Sequence, residues 1–142
     1  MPVLLWMGMI FWGSTDALAA HRTSRFLGPF IRWLVPGITP ESEAAVRAVI
    51  RKGGHLTEYA VLAILMARAV RAGAEPGARA RRWILLAWLG ATAYAATDEF
   101  HQAFQPTRQG SVIDVAIDSA GAALGLMAFA VWVERRDRRP IR

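Results

Sequence analysis

Apolar positions in this chain gather into four blocks, and each block ends in polar or charged residues. They lie near residues 2–20, 54–70, 83–97 and 111–133, the first apolar through Trp12 and then polar at Ser14, Thr15 and Asp16. Each is close to the roughly 20 residues a helix needs to cross a bilayer. The second and third reach that length only with their polar ends, which must therefore face protein or water and not lipid. Between the first two blocks, SRFLGPFIRWLV and PESEAAVRAVIRK separate apolar from charged faces, as helices lying in a membrane interface do. The pattern predicts an all-α polytopic membrane helical bundle of about four transmembrane helices plus a short amphipathic interfacial segment. It predicts a single domain over residues 1–142, ending in a basic tail at 134–142. The first block lacks the basic start of a secretory signal and is expected to be a retained helix.

Composition sharpens this picture. Hydrophobic residues make up 54% of the 142, while 17 basic residues punctuate the apolar runs. The net charge of +6 could suggest nucleic acid, but the arginines sit beside apolar blocks, as in loops that meet anionic headgroups, so nucleic acid is not expected. The second-to-third connection holds Arg68, Arg71, Arg79, Arg81 and Arg82 against Glu75, and the tail carries Arg135, Arg136, Arg138, Arg139 and Arg142. Both belong on the cytoplasmic side, giving N-in, C-in, although the loop at 20–53 has basic residues of its own. Trp6, Trp12, Trp83 and Trp132 lie toward span ends as interfacial anchors, Trp33 falls in a loop, and Trp88 is mid-span and packs. Absence of cysteine removes disulfides, thiolate metal sites and thiol nucleophiles.

The chemistry concentrates at 97–125, TDEFHQAFQPTRQGSVIDVAIDSAGAALG, where Asp98, Glu99, His101, Arg108, Asp114 and Asp118 are wedged between apolar runs. Charges beside such segments are costly to bury and mark functional sites. RKGGHLTEYA at 51–60 opens another block in the same way. With N-in, C-in, the start of the second span, the end of the third and the start of the fourth all lie at the outer face. His55 and Glu58 are one turn apart, Asp98 shares a face with His101 and Gln102, and Ser111, Asp114, Asp118, Gly121 and Gly125 form one stripe. The two glycines make a GxxxG-like packing face.

These residues resemble the VanZ-like family of bacterial membrane proteins, named for an accessory factor in glycopeptide (teicoplanin) resistance. The resemblance rests on Arg51-Lys52-x-x-His55-x-x-Glu58-Tyr59, on Asp98-Glu99-x-His101-Gln102-x-Phe104 with Pro106 and Arg108, and on Asp114-x-x-x-Asp118 followed by Gly121-x-x-x-Gly125. The MIFWGS segment also looks like the family's opening, and nearly the whole chain is covered. Gly53-Gly54, where bulkier residues are common, departs from the pattern and could loosen the helix. The resemblance implies a multi-pass protein of the bacterial cytoplasmic membrane with an outward polar site.

Residue by residue, His55, Glu58, Asp98, His101, Arg108 and Asp114 are the candidate catalytic groups, with Lys52, Glu99, Gln102 and Asp118 for substrate binding. The histidines titrate nearest neutral pH and suit acid–base work, or they hydrogen-bond neighbouring helices. They could also take a divalent metal with Glu58, Asp98 or Glu99, but neither HxxxH nor HExxH spacing appears, and no metal or cofactor is expected. Arg108 can clamp a phosphate or carboxylate bidentately, or neutralise Asp114 or Asp98. Lys52 can assist the same anion or meet lipid phosphates. Asp114 and Asp118 suit a carboxylate pair or two separate structural bonds, and Glu99 sits one position off the Asp98 face. Tyr59 reads as an interfacial anchor, Ser111 as an N-cap. Two functions fit: an enzyme acting at the outer leaflet on a lipid-linked or cell-wall (peptidoglycan) precursor, or a non-catalytic protein that binds or remodels an envelope component with the same charges. A proton-coupled transporter fits less well, since no polar residue carries a path down the second and third spans.

Overall fold

A computed structural model of the chain describes residues 1–15, 20–74, 80–104 and 110–137. Among them are five helices and no strand: α1 (Pro2–Ser14), α2 (Ala20–Leu34), α3 (Pro40–Ala72), α4 (Ala80–Gln102) and α5 (Val112–Asp137). The expected all-α architecture is present. Helix α3 is the hub, packed against each of the other four, while α2 touches α3 alone among the described residues. Helices α3 and α5 run parallel, because Lys52 meets Asp114, His55 meets Asp118, and Gly125 lies on Ala60. Helix α4 returns antiparallel to α5, with Thr92 beside Ser119 and Trp83 beside Phe129.

Local chemistry sets the ends. Thr39 caps α3 by accepting the Ser42 N–H at 3.3 Å, Pro40 occupies the first turn, and Glu41 and Glu43 complement its positive end. Ser111 caps α5 as expected, its Oγ accepting the Ile113 N–H at 3.2 Å. Helix α2 is held to α3 by Arg32, which donates to both Glu43 oxygens, at 3.0 and 2.9 Å, with Arg47 on the same carboxylate at 2.7 Å.

Several element boundaries differ from the sequence reading. PESEAAVRAVIRK is no separate interfacial segment; it is the first part of α3, a continuous helix of 33 residues, about 50 Å long at 1.5 Å per residue. Gly53 and Gly54 do not interrupt it. Each costs about 1 kcal/mol against alanine, and the packing of α3 against four neighbours offsets that. Trp33 lies in α2 and not in a loop. Helix α1 ends at Ser14, whereas the first block was drawn to residue 20; residues 16–19 lie outside the described residues. Among the described residues one helix, α5, is long and apolar enough to cross a membrane, over Val112–Arg136, and α1 is apolar but shorter.

Small side chains make up much of the core, around the larger Tyr59, Leu62, Trp83 and Leu126. Ala63 and Ala67 of α3, Ala87, Ala91 and Ala95 of α4, and Ala122 of α5 are all buried. Steps of four place the α4 alanines on one stripe, so three backbones approach closely. Many large apolar side chains point outward: Leu85, Leu86 and Leu89 of α4, Leu124, Met127 and Val131 of α5, and Leu4, Leu5 and Phe11 of α1. Among the tryptophans, Trp12 and Trp132 are exposed as anchors would be, and Trp88 packs, donating its indole N–H to Ser119 O. Trp83, expected as an exposed anchor, is buried edge-on against Phe129 because α4 and α5 pack together there. Trp6 is half-buried and donates to the Glu58 carbonyl at 2.9 Å.

Candidate functional site

Polar groups converge where α1 and α4 end, α5 begins, and α3 passes by. The parallel α3–α5 register decides the first two pairs. Lys52 Nζ meets Asp114 Oδ1. One turn further along both helices, His55 Nδ1 stands 3.5 Å from Asp118 Oδ1, an ion-pair distance longer than a close hydrogen bond. Asp118 is fully buried and His55 largely so. The two aspartates thus serve separate partners and do not form a carboxylate pair.

Adjacent residues on a helix point about 100° apart, and the end of α4 uses this. Asp98 turns toward α1, where its Oδ2 accepts from Ser14 Oγ at 2.7 Å and from Gln102 Nε2 at 2.9 Å. Glu99 turns toward α5, where its Oε2 accepts the Ser111 N–H at 2.8 Å. A carboxylate there also complements the positive end of α5, as Asp114 does from its first turn. Both Asp98 and Glu99 are buried, so Glu99, one position off the Asp98 face, is inside the cluster all the same.

Beneath these acids lies Tyr59, read from sequence as an interfacial anchor. It is instead completely buried, 6.4 Å ring to ring from Tyr94, and faces Asp98, Asp118 and Glu99. Its position on the inner face of α3, one turn from His55, puts it between helices. Tyr94 donates to Met7 O at 2.7 Å, and His101 stacks on Phe11 at 4.5 Å, so α1 closes one side of the cluster. Glu58 is half-buried and, with Glu99, lies within electrostatic reach of His55.

The buried atoms that meet no hydrogen-bond partner among the described residues include Tyr59 Oη, Asp98 Oδ1, Glu99 Oε1 and Asp118 Oδ2. Three of them are carboxylate acceptors that a donor-rich group would satisfy. No group of three or more His, Asp or Glu side chains among the described residues could hold a metal ion. Of the residues singled out from sequence, Lys52, His55, Glu58, Asp98, Glu99, His101, Gln102, Asp114 and Asp118 all come to this end of the bundle. Arg108 lies outside the described residues. Sequence reasoning missed Ser14, Tyr59 and Tyr94 as parts of the cluster. Ser14 ends a segment already notable for its family likeness, but only the α1–α4 contact reveals its partner.

Residues 1–133 match the family model described as VanZ/LLP1. No curated protein sequence and no solved structure matches the chain.

Proposed function

The chain belongs to the VanZ/LLP1 family, and from that premise we propose that it is a multi-pass protein of the bacterial cytoplasmic membrane. Its polar cluster faces outward and acts by acid–base chemistry on a lipid-linked or cell-wall component, in the setting of glycopeptide (teicoplanin) resistance. Support for the membrane comes from the sorting of side chains: many leucines and aromatics outside, Asp98, Glu99, Gln102 and Asp118 inside. A water-soluble bundle sorts them the other way. In this reading α5 crosses the bilayer, α3 and α4 cross beside it with their charged ends at its faces, and α1 completes four spans. The amphipathic α2 lies at the outer surface, with Phe26, Phe30 and Trp33 turned outward.

One observation carries the chemical part. His55 is backed by Asp118, a carboxylate with no access to solvent. A buried carboxylate beside an imidazole orients the ring, as a general acid–base group requires. Glu58 and Glu99 lie within electrostatic reach of His55, His101 stands against α1 at the same end, Arg108 clamps the substrate's phosphate or carboxylate, and Lys52–Asp114 holds α3 to α5.

Teicoplanin sensitivity and membrane abundance, read together in a susceptible host, test this. Wild type should protect, while His55→Ala, Asp118→Asn and Arg108→Ala should be present in the membrane and inert. Variants that protect as well as wild type would make the cluster structural.

A second reading, recognition without catalysis, is favoured by the Asp98 network, which Ser14 and Gln102 tie up inside the bundle. Glu58→Gln and His101→Asn separate the two readings. Catalysis collapses under such conservative changes, whereas recognition weakens by degree.

A further inference from the structure

The opposite end of the bundle carries a second polar feature, remote from His55 and Asp118. A groove of about 640 Å³ opens between the last turns of α3 and α5. Its rim is cationic, formed by Arg68, Arg71 and Arg136, and its apolar wall includes Ile64, Phe129 and Trp132. Among the described residues no acidic side chain lines it. The wall is ordered by aromatic contacts. Trp83 packs edge-on to Phe129 at 5.9 Å, Phe129 stacks on Trp132 at 5.8 Å, and the Arg136 guanidinium sits 5.4 Å over the Trp132 ring. That last contact holds one cation at the groove mouth at little conformational cost. Cationic side chains beside an apolar trough are complementary in charge to a bound anion.

We propose that this groove is a binding site for one anionic phospholipid. The headgroup phosphate sits among Arg68, Arg71 and Arg136, and an acyl chain runs along Ile64, Phe129 and Trp132. Charge complementarity selects the phosphate, since guanidinium groups bind it bidentately. The adjoining apolar wall selects a lipid over a free anion. Basic pockets between membrane helices bind anionic headgroups in this manner, and the cytoplasmic leaflet, where this end lies in the proposed orientation, is where such lipids carry the surface charge. The site rests on the membrane reading of the chain, but not on any chemistry at the polar cluster.

The test is native mass spectrometry and thermal melting of the purified full chain in detergent, titrated with phosphatidylglycerol, phosphatidylcholine or glycerol phosphate. The proposal expects one phosphatidylglycerol retained and Tm raised, with phosphatidylcholine and glycerol phosphate each weaker by about tenfold or more. Arg68→Gln/Arg71→Gln/Arg136→Gln should lose that preference, and Arg136→Gln alone should weaken it. Removing the exposed Arg25 and Arg135, which do not line the groove, should leave it intact. Equal binding of the two lipids overturns the site. So does unchanged preference in both groove variants, or an equal loss in the Arg25/Arg135 control, which would reveal bulk charge alone. Glycerol phosphate binding as tightly as the lipid would exclude a role for the acyl chain and overturn it too. Release of the wild-type chain from membranes by carbonate would contradict the membrane reading itself, and so is distinct from failure of the groove.

Discussion

At the scale of single residues, the most instructive contrast is between Asp98 and Glu99. Both are acids beside an apolar run, and helical spacing grouped Asp98 with His101 and Gln102 while setting Glu99 apart. The Gln102 partnership is present at 2.9 Å, as spacing along one helix implies. The second partner of Asp98, Ser14, lies 84 positions away, and no local pattern could reveal it. Glu99 was equally obscure, because its partner is a backbone N–H exposed only where α5 starts. Removing a donor to a buried carboxylate leaves an unmet charge, so Ser14→Ala should destabilise the protein by about 1–3 kcal/mol. A lowered Tm in detergent would show it, and Ser14→Thr should restore part of the loss. An unchanged Tm for Ser14→Ala would mean that this bond contributes nothing to holding α1 against α4.

At the scale of elements, the glycine stripe was the most legible feature. Gly121 and Gly125 recur one turn apart on an apolar helix, and that spacing alone implies a close helix contact. The contact is with α3: a methyl group added at Gly125 would lie 2.6 Å from Ala60 O and 2.8 Å from Ala60 Cα. Backbone cannot yield as a side chain can. Gly125→Ala should therefore cost about 1–3 kcal/mol, the usual penalty of overpacking. Gly53 of α3 offers the control, since its added methyl would meet nothing within 4 Å. Gly53→Ala should be neutral or slightly stabilising in the same melting experiment, through alanine's better helix propensity. Equal effects at the two positions would contradict the close α3–α5 packing. The extent of α3 was less legible. Its charged first part and its apolar second part differ in composition, and a glycine pair separates them, so the sequence reads as two elements. Tertiary packing joins them.

At the scale of the whole molecule, side-chain sorting says what no single helix does. The apolar blocks are plain in sequence, but which faces of them point inward is not, since alanine and glycine fill much of the interior while many leucines face out. That arrangement suits a lipid surround, where tight backbone packing and buried polar contacts replace the hydrophobic effect as the source of helix association. It also divides the molecule by charge, with the His55–Asp118 cluster at one end and Arg68, Arg71 and Arg136 at the other. The proposed topology puts these ends on opposite sides of a membrane, the polar cluster outside. Because the chain has no cysteine, single substitutions report location without background. Exposed positions serve best: Phe104→Cys and Val112→Cys at the cluster end, Arg81→Cys and Arg135→Cys at the basic end. A membrane-impermeant maleimide applied to protoplasts or spheroplasts should label the first two directly, and the second two only after lysis. Labelling of the basic end before lysis, or of both ends from the same side, would contradict the account.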